Sequence, residues 1–167
     1  LWMDFDEEAR KLWANLALTP AKPYNTLDPI FTPRQPLARH QPTSAAADDD
    51  AAAAASPPPT VYVGNERAAR DATLLSSLRI THVVNCTDNI PNYHERSGAV
   101  RYMRFPVTFW QLQCAAGDAA TLGFADRLFA FVDAALAAGG SVLVHCLAGA
   151  HRAGTTGCLL LMRQHCL

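Results

Sequence analysis

The chain has 167 residues, of which 50% are hydrophobic, and its formal net charge is -1 at pH 7. This length accommodates one ordinary domain with additional segments, and the apolar fraction is enough for a core. The near-neutral charge argues against nucleic acid or an anionic membrane as a partner, so any affinity for phosphate has to be built locally. No run approaches the ~18–20 consecutive apolar residues that span a bilayer, and the acidic start of the chain is unlike a secretory signal.

The cysteines are five in number and match no zinc-binding spacing. Because the number is odd and most of them lie in apolar runs, a disulfide framework is disfavoured and a reducing compartment, cytoplasmic or nuclear, is favoured. The sequence has no cluster of metal ligands and no glycine-rich nucleotide loop, so it implies no cofactor. The cysteines are Cys86, Cys114, Cys146, Cys158 and Cys166.

Residues 1–59 differ in composition from the remainder of the chain. Residues 4–18 predict one short amphipathic helix, a candidate docking segment for a partner, although a tail with a few apolar residues explains the same pattern. Six prolines follow between Pro20 and Pro42, and an Ala/Asp repeat comes next. Because proline removes backbone donors and the repeat has no alternating apolar face, the sequence predicts a disordered linker over 19–59.

From Thr60 onwards the pattern changes to alternating strands and helices. In chain order these are a strand at 61–64, a helix at 71–78, strands at 80–85 and 102–107, a helix at 118–138, a strand at 141–144 and a helix at 155–166. In the longest helix, apolar residues recur at i, i+3, i+4 and i+7. The alternation predicts one α/β domain over 60–167, with a central, largely parallel sheet flanked by helices.

The loop between the last predicted strand and helix carries the residues for chemistry. Cys146 follows His145 at the end of the strand, and five residues separate it from Arg152. A loop of this length can turn its backbone N–H groups towards an anion at a helix N-terminus, and Gly149 gives the freedom for that turn. The guanidinium of Arg152 can hold two phosphate oxygens at once.

The same arrangement predicts Cys146 as a nucleophile. Donors that bind a phosphate dianion also stabilise a thiolate, which can attack phosphorus and form a thiophosphate that water then hydrolyses. His145 is expected to position the loop and to tune the thiolate rather than to act as a base. A buried cysteine with a packing role is the alternative, but the His, Gly and Arg around it favour catalysis. The predicted substrate-binding residues are Leu147, Ala148, Gly149, Ala150, His151 and Arg152.

Several separate segments resemble the dual-specificity phosphatases, in particular the MAP-kinase-phosphatase-like group of the Cys-x5-Arg superfamily. They are Val61-Tyr62-Val63-Gly64-Asn65, Ile80-Thr81-His82-Val83-Val84-Asn85, Arg104-Phe105-Pro106-Val107 and Val144-His145-Cys146. The resemblance covers about residues 58 to 167 and implies a cysteine-dependent phosphoric monoester hydrolase with Cys146 and Arg152 as catalytic residues. It also implies hydrolysis of phosphotyrosine, and of phosphoserine or phosphothreonine, in a phosphoprotein, with a kinase as one candidate partner.

The chain departs from that family in three places. Where the family carries an aspartate as general acid, just after a segment like the one ending at Val107, this chain has Thr108 and Phe109. The residue after the catalytic arginine, usually a serine or threonine that assists the second step, is Ala153. The family continues with more helices, so the resemblance implies a fold truncated at its C-terminus by the end at Leu167.

Asp118 is the candidate for the general acid, because it is the only carboxylate between Arg104 and Asp126. Such an acid contributes roughly 10²–10⁴-fold in rate. An ordinary position at a helix N-terminus explains Asp118 equally well. Asp133, like Asp126, is expected on the helix surface, and Asp88 is a distant reserve.

Thr155 is the candidate for the hydroxyl that Ala153 lacks, with Thr156 and an ordinary helical role as alternatives. If both the acid and the hydroxyl are missing, turnover is slow although the loop still binds phosphate, which leaves a pseudophosphatase that holds phosphoproteins as an alternative. A phosphatase for lipid or carbohydrate phosphates is a further alternative, which the lack of lysine in the loop disfavours. A sulfurtransferase is disfavoured by the number of separate segments that match phosphatases.

Overall fold

The computed structural model describes residues 25–33 and 57–165. Its strands are β1 Leu27–Phe31, β2 Val61–Gly64, β3 Ile80–Asn85, β4 Arg101–Arg104 and β5 Ser141–His145. Its α-helices are α1 Glu66–Arg70, α2 Ala72–Ser77, α3 Trp110–Cys114, α4 Asp118–Ala137 and α5 His151–Gln164. Short 3-10 helices cover Glu95–Ser97 and Val107–Phe109.

The five strands form one sheet in the order β1-β2-β5-β3-β4. The four strands β2, β5, β3 and β4 run parallel, and β1 joins the edge antiparallel to β2. Strand β5 lies in the middle, and all of its residues are buried because helices cover both faces. The predicted α/β fold with a largely parallel sheet is confirmed.

Two apolar layers hold the helices against the sheet. Successive residues of β5 point to opposite faces, so Val142 and Val144 join one layer and Leu143 joins the other. The first layer is completed from α4 and α5 by Phe124, Leu128, Val132, Ala135, Ala153 and Leu160. The second is completed from α1 and α2 by Ala68, Ala69 and Leu75. The core therefore lies directly behind the carboxyl end of β5.

Strand β1 corrects the prediction of a disordered linker over 19–59. Residues 27–31 of that range pair with β2, although Pro29 lies among them. An edge strand tolerates proline because one of its sides needs no donors, and Ile30 and Phe31 pack against the apolar layer of α4 and α5. Residues 19–24 and 34–56 of the predicted linker, and the predicted helix over 4–18, lie outside the described residues.

Two further boundaries differ from the sequence prediction. The helix whose pattern is recognisable from residue 155, and whose start is expected near Arg152 from the preceding loop, begins at His151, so Arg152 belongs to its first turn. The strand expected over 102–107 ends at Arg104, because Pro106 has no N–H to continue the ladder and the chain turns into a 3-10 helix. Among residues 25–33 and 57–165, no helix combines the length and apolar character that crossing a bilayer requires.

Candidate active site

Strand β5 carries Cys146 to the carboxyl edge of the sheet. In open α/β sheets this edge is where ligands bind, and the central position of β5 surrounds the cysteine with neighbouring strands. Cys146 is only 2% exposed and belongs to the apolar layer of α4 and α5. The sulfur therefore lies at the base of the loop that follows it, over 147–150.

The loop leads directly into the N-terminus of α5. Its N-cap residue is Ala150, which offers no side-chain acceptor to the first N–H groups of the helix. Helix α5 has 14 residues, so its N-terminus has the dipole and the orphan donors that bind an anion. Arg152 is half-buried in the first turn. Helix α5 therefore begins directly after the loop over 147–150, with Arg152 in its first turn.

The turn after β2 supports this loop from below. The backbone N–H of Glu66 donates to the carbonyl of Leu147 at 3.1 Å. Gly149 has a φ of 79° and lies so close to Gly64 that an added Cβ would stand 2.9 Å from the carbonyl carbon of Gly64. The shape of the loop is therefore tied to the position of β2 and α1.

His145 is fully buried beside the loop. Among the described residues, neither ring nitrogen has a partner with standard hydrogen-bond geometry. Burial lowers the pKa of His145 to about 4, and the Cys146 backbone and the charge of Glu66 offset only part of this desolvation. The ring is therefore neutral at pH 7 and is poorly placed to take up a proton.

Cys86 directly follows the neighbouring strand β3, beside Cys146. Asn85 pairs with His145 in the parallel register of β3 and β5, and the N–H of Cys86 donates to the carbonyl of His145 at 2.8 Å. Burial raises the pKa of Cys86 to about 12, although the hydroxyl of Thr156 lies 3.4 Å from its sulfur. Cys86 therefore stays a protonated thiol at neutral pH, unlike the nucleophile that the loop predicts.

Comparison with known protein families identifies the family to which this arrangement of strand, loop and helix belongs. A family model described as "Dual specificity phosphatase, catalytic domain" matches residues 61–167. The chain belongs to that family. The resemblance inferred from the sequence is thereby confirmed.

The relatives of this dual specificity phosphatase domain include proteins from animals. The chain is 32% identical over 105 residues to human dual specificity protein phosphatase 9, across 62% of this chain and 26% of that protein. It is 33% identical over 102 residues to dual specificity protein phosphatase Mpk3 of Drosophila melanogaster, across 61% of this chain and 23% of that protein. The chain thus spans about a quarter of the length of these curated relatives. Among solved structures, human DUSP28 is similar at a TM-score of 0.50 and 28% identity, across 64% of this chain and 67% of that one.

In this dual specificity phosphatase domain, Asp118 is the first residue of α4 and is exposed. Gly117 precedes it with a φ of 97°, and Asp118 lies in the acidic first turn that a helix dipole favours. Phe109, where the family has its acid, ends the 3-10 helix that contacts α5. The role of Asp118 as general acid stays a prediction.

The other carboxylates considered from the sequence are exposed, and one of them is engaged. Asp126 is an exposed residue of α4, and Asp88 is exposed on the loop after β3. Asp133 accepts two hydrogen bonds from Arg163 at 2.8 and 2.6 Å, which ties α4 to α5. Asp133 therefore has a structural partner of its own.

The two threonines of α5 occupy different environments. Thr155 is exposed, whereas Thr156 is fully buried and donates its hydroxyl to the carbonyl of Arg152 at 2.9 Å. Ala153 is also fully buried in the core. The structure therefore brings the hydroxyl of Thr156, rather than that of Thr155, into contact with the arginine's backbone, and the part of either in catalysis stays a prediction.

Asn85 and Arg104 fix the loop next to the catalytic one, and sequence reasoning missed both. The amide oxygen of Asn85 accepts from the hydroxyl of Thr87 at 2.7 Å, and its amide nitrogen donates to the carbonyl of Ile90 at 2.8 Å. The guanidinium of Arg104 donates to the same carbonyl at 3.0 Å. A polar residue at the end of an otherwise apolar strand was the signal that could have identified Asn85.

Proposed function

We propose that this domain hydrolyses phosphotyrosine, and also phosphoserine or phosphothreonine, in proteins through a cysteinyl-phosphate intermediate. The observation that carries the proposal is the placement of Cys146 at the base of a loop that ends in the N-terminus of α5. Family membership supports the phosphatase reaction, and the absence of a side-chain cap at Ala150 leaves the first donors of α5 for phosphate.

The reaction proceeds in two displacements at phosphorus. Arg152 and the loop amides hold three phosphate oxygens while the Cys146 thiolate attacks. The S–P bond forms as the bond to the leaving oxygen breaks, and that oxygen takes a proton from the general acid, for which Asp118 is our candidate. Water then attacks phosphorus and gives a proton to the carboxylate that the first step left, the S–P bond breaks, and inorganic phosphate and the thiolate are released.

The residues around Cys146 have separate roles towards its thiolate. His145 is buried and neutral, so it shapes the loop instead of receiving the proton of Cys146. A hydroxyl from Thr155 or Thr156 is the candidate for assisting sulfur departure, because Ala153 has none. A reactive thiolate needs a reducing environment, which supports a cytoplasmic or nuclear location for the protein.

Hydrolysis of an aryl phosphate by the full chain tests this proposal. We expect Cys146→Ser to abolish turnover and Arg152→Lys to raise KM and lower kcat, because lysine cannot form the bidentate contact. Cys158→Ser is the matched control, since Cys158 is an exposed cysteine of α5 and its loss should leave the rate unchanged. Full turnover by Cys146→Ser would refute the mechanism.

The general acid is tested separately with Asp118→Asn. We expect its kcat to fall on phosphopeptides more than on an aryl phosphate with a good leaving group, because only a poor leaving group needs the proton. Equal rates for Asp118→Asn and wild type on both substrates would remove Asp118 from the mechanism. Tight phosphopeptide binding without turnover by the wild type would instead identify a phosphoprotein-binding module.

A further inference from the structure

Glu66 connects the catalytic loop to a second, more distant segment. Its backbone N–H holds the carbonyl of Leu147, and its carboxylate accepts a hydrogen bond from the hydroxyl of Tyr93 at 2.5 Å. Tyr93 lies 27 residues further along the chain, in the loop after β3. A single residue therefore contacts the loop through its backbone and the other segment through its side chain.

Tyr93 lies in a segment that contacts α1 at Arg70. The guanidinium of Arg70 lies over the Tyr93 ring at 5.2 Å from its centroid. A ring nitrogen of His94 lies 3.0 Å from the carbonyl of Arg70, and the N–H of His94 donates to the Tyr102 hydroxyl at 3.2 Å. The segment that carries Tyr93 therefore packs against α1, the helix that begins with Glu66.

The charge of Glu66 acts on His145, at the end of β5 that leads into Cys146. It raises the pKa of His145, the residue before Cys146, against the larger opposing effect of burial. Negative charge on Glu66 would also disfavour a thiolate or a phosphate dianion at the neighbouring loop, because like charges repel. A hydrogen bond from the Tyr93 hydroxyl disperses that charge while it fixes the side chain.

We propose that Glu66 and Tyr93 are a pair of positioning residues for the phosphate-binding loop. Glu66 fixes the position of the loop through its backbone hydrogen bond to Leu147. Tyr93 orients the Glu66 side chain and disperses its negative charge through its own hydrogen bond. This inference deepens the proposed function and rests on it. Both residues act through the loop, which Glu66 contacts at Leu147.

Two conservative variants separate this role from a general structural one. Tyr93→Phe keeps the ring over which Arg70 lies but removes the donor, so the charge of Glu66 is less compensated. Glu66→Gln keeps an acceptor for Tyr93 and the backbone contact to Leu147 but removes the charge. The two changes should therefore act in opposite directions on the ionisation of Cys146.

The readout is the pH midpoint for alkylation of Cys146 in the full chain, followed peptide by peptide with mass spectrometry. We expect the midpoint to rise in Tyr93→Phe and to fall in Glu66→Gln, each by about half a pH unit, below the roughly 1–3 units that a charge in direct contact produces. KM for an aryl phosphate should rise several-fold in Tyr93→Phe only. The other titratable or charged groups acting around the site are unchanged in both variants: Cys86, His145, Arg104 and Arg152.

Tyr102→Phe is the matched control, since its hydroxyl bonds the same segment through His94, and we expect its midpoint to equal that of the wild type. Midpoints that move in the same direction in Tyr93→Phe and Glu66→Gln, or that do not move, would overturn the proposal. Alkylation needs no hydrolysis. A wild type without turnover would therefore count against the proposed function, while the midpoints still decide the role of this pair.

Discussion

Replacement of Gly149 by alanine is the sharpest structural perturbation of the catalytic loop. Gly149 adopts a φ of 79°, a left-handed conformation that costs an L-residue roughly 1–2 kcal/mol. The added methyl would stand 3.0 Å from the oxygen of Gly64 and 3.1 Å from the nitrogen of Asn65, both backbone atoms. Because backbone atoms of a strand end cannot rotate away, overpacking adds roughly 1–3 kcal/mol.

Together, the conformational cost and the overpacking should lower the free energy of unfolding of Gly149→Ala by about 2–5 kcal/mol. This is a large part of the roughly 5–15 kcal/mol that holds a domain folded. Two matched variants divide this total. Gly98 has a φ of 70° with no atom within 4 Å of the added Cβ, so Gly98→Ala measures the conformational cost alone. Gly154 lies within α5 and is equally open, so Gly154→Ala should stabilise by up to about 1 kcal/mol.

Urea unfolding of the three variants gives the free energies, and titration with inorganic phosphate gives the affinity of the loop. We expect Gly149→Ala to be the least stable and to bind phosphate at least about tenfold more weakly, which corresponds to about 1.4 kcal/mol. If Gly149→Ala were no less stable than Gly98→Ala, the close approach to Gly64 would not constrain the loop, and the reasoning would be wrong.

Two further predictions concern buried groups near the loop. Thr156→Val should lower the free energy of unfolding by about 0.5–1.5 kcal/mol, because it removes a buried hydroxyl that donates to the Arg152 carbonyl. Thr155→Val, at an exposed position, should change it by no more than about 0.5 kcal/mol. Urea unfolding measures both, and equal costs would contradict the assignment. The pKa of His145 is about 4 in the folded state against 6.5 as its ordinary value, so the unfolded chain binds its proton first as the pH falls. The corresponding stability, about 3 kcal/mol, is present above pH 6.5 and is lost between 6.5 and about 4. His145→Phe should lose this part of the pH dependence of unfolding, and an unchanged slope in the variant would show that His145 is not the group responsible.

The sequence was sufficient for the features that local patterns encode. Alternation and apolar runs located β2, β3 and β5, and the spacing of Cys146 and Arg152 located the loop between strand and helix. Periodicity alone starts α5 only at Thr155, because Gly154 and the polar residues of the first turn weaken the helical pattern, whereas the preceding loop predicts a helix N-terminus near Arg152.

Features that depend on long-range pairing could not be predicted. Strand β1 contains Pro29 and lies in a proline-rich segment whose local pattern indicates a loop. It becomes a strand only because β2 offers an edge. The proximity of Cys86 to Cys146 follows from the register of β3 and β5, which no local pattern states. In the same way, Glu66 and Tyr93 meet across 27 residues through tertiary packing.

The most direct test of the proposed mechanism is acid-quench trapping of the phosphorylated enzyme during turnover of an aryl phosphate. We expect peptide mass spectrometry to place one phosphoryl group on Cys146 and none on Cys86, whose pKa of about 12 keeps it a thiol. Asp118→Asn should leave formation of this adduct on a good leaving group intact. Turnover that proceeds without any adduct on Cys146, or with the phosphoryl group on another residue, would contradict the account.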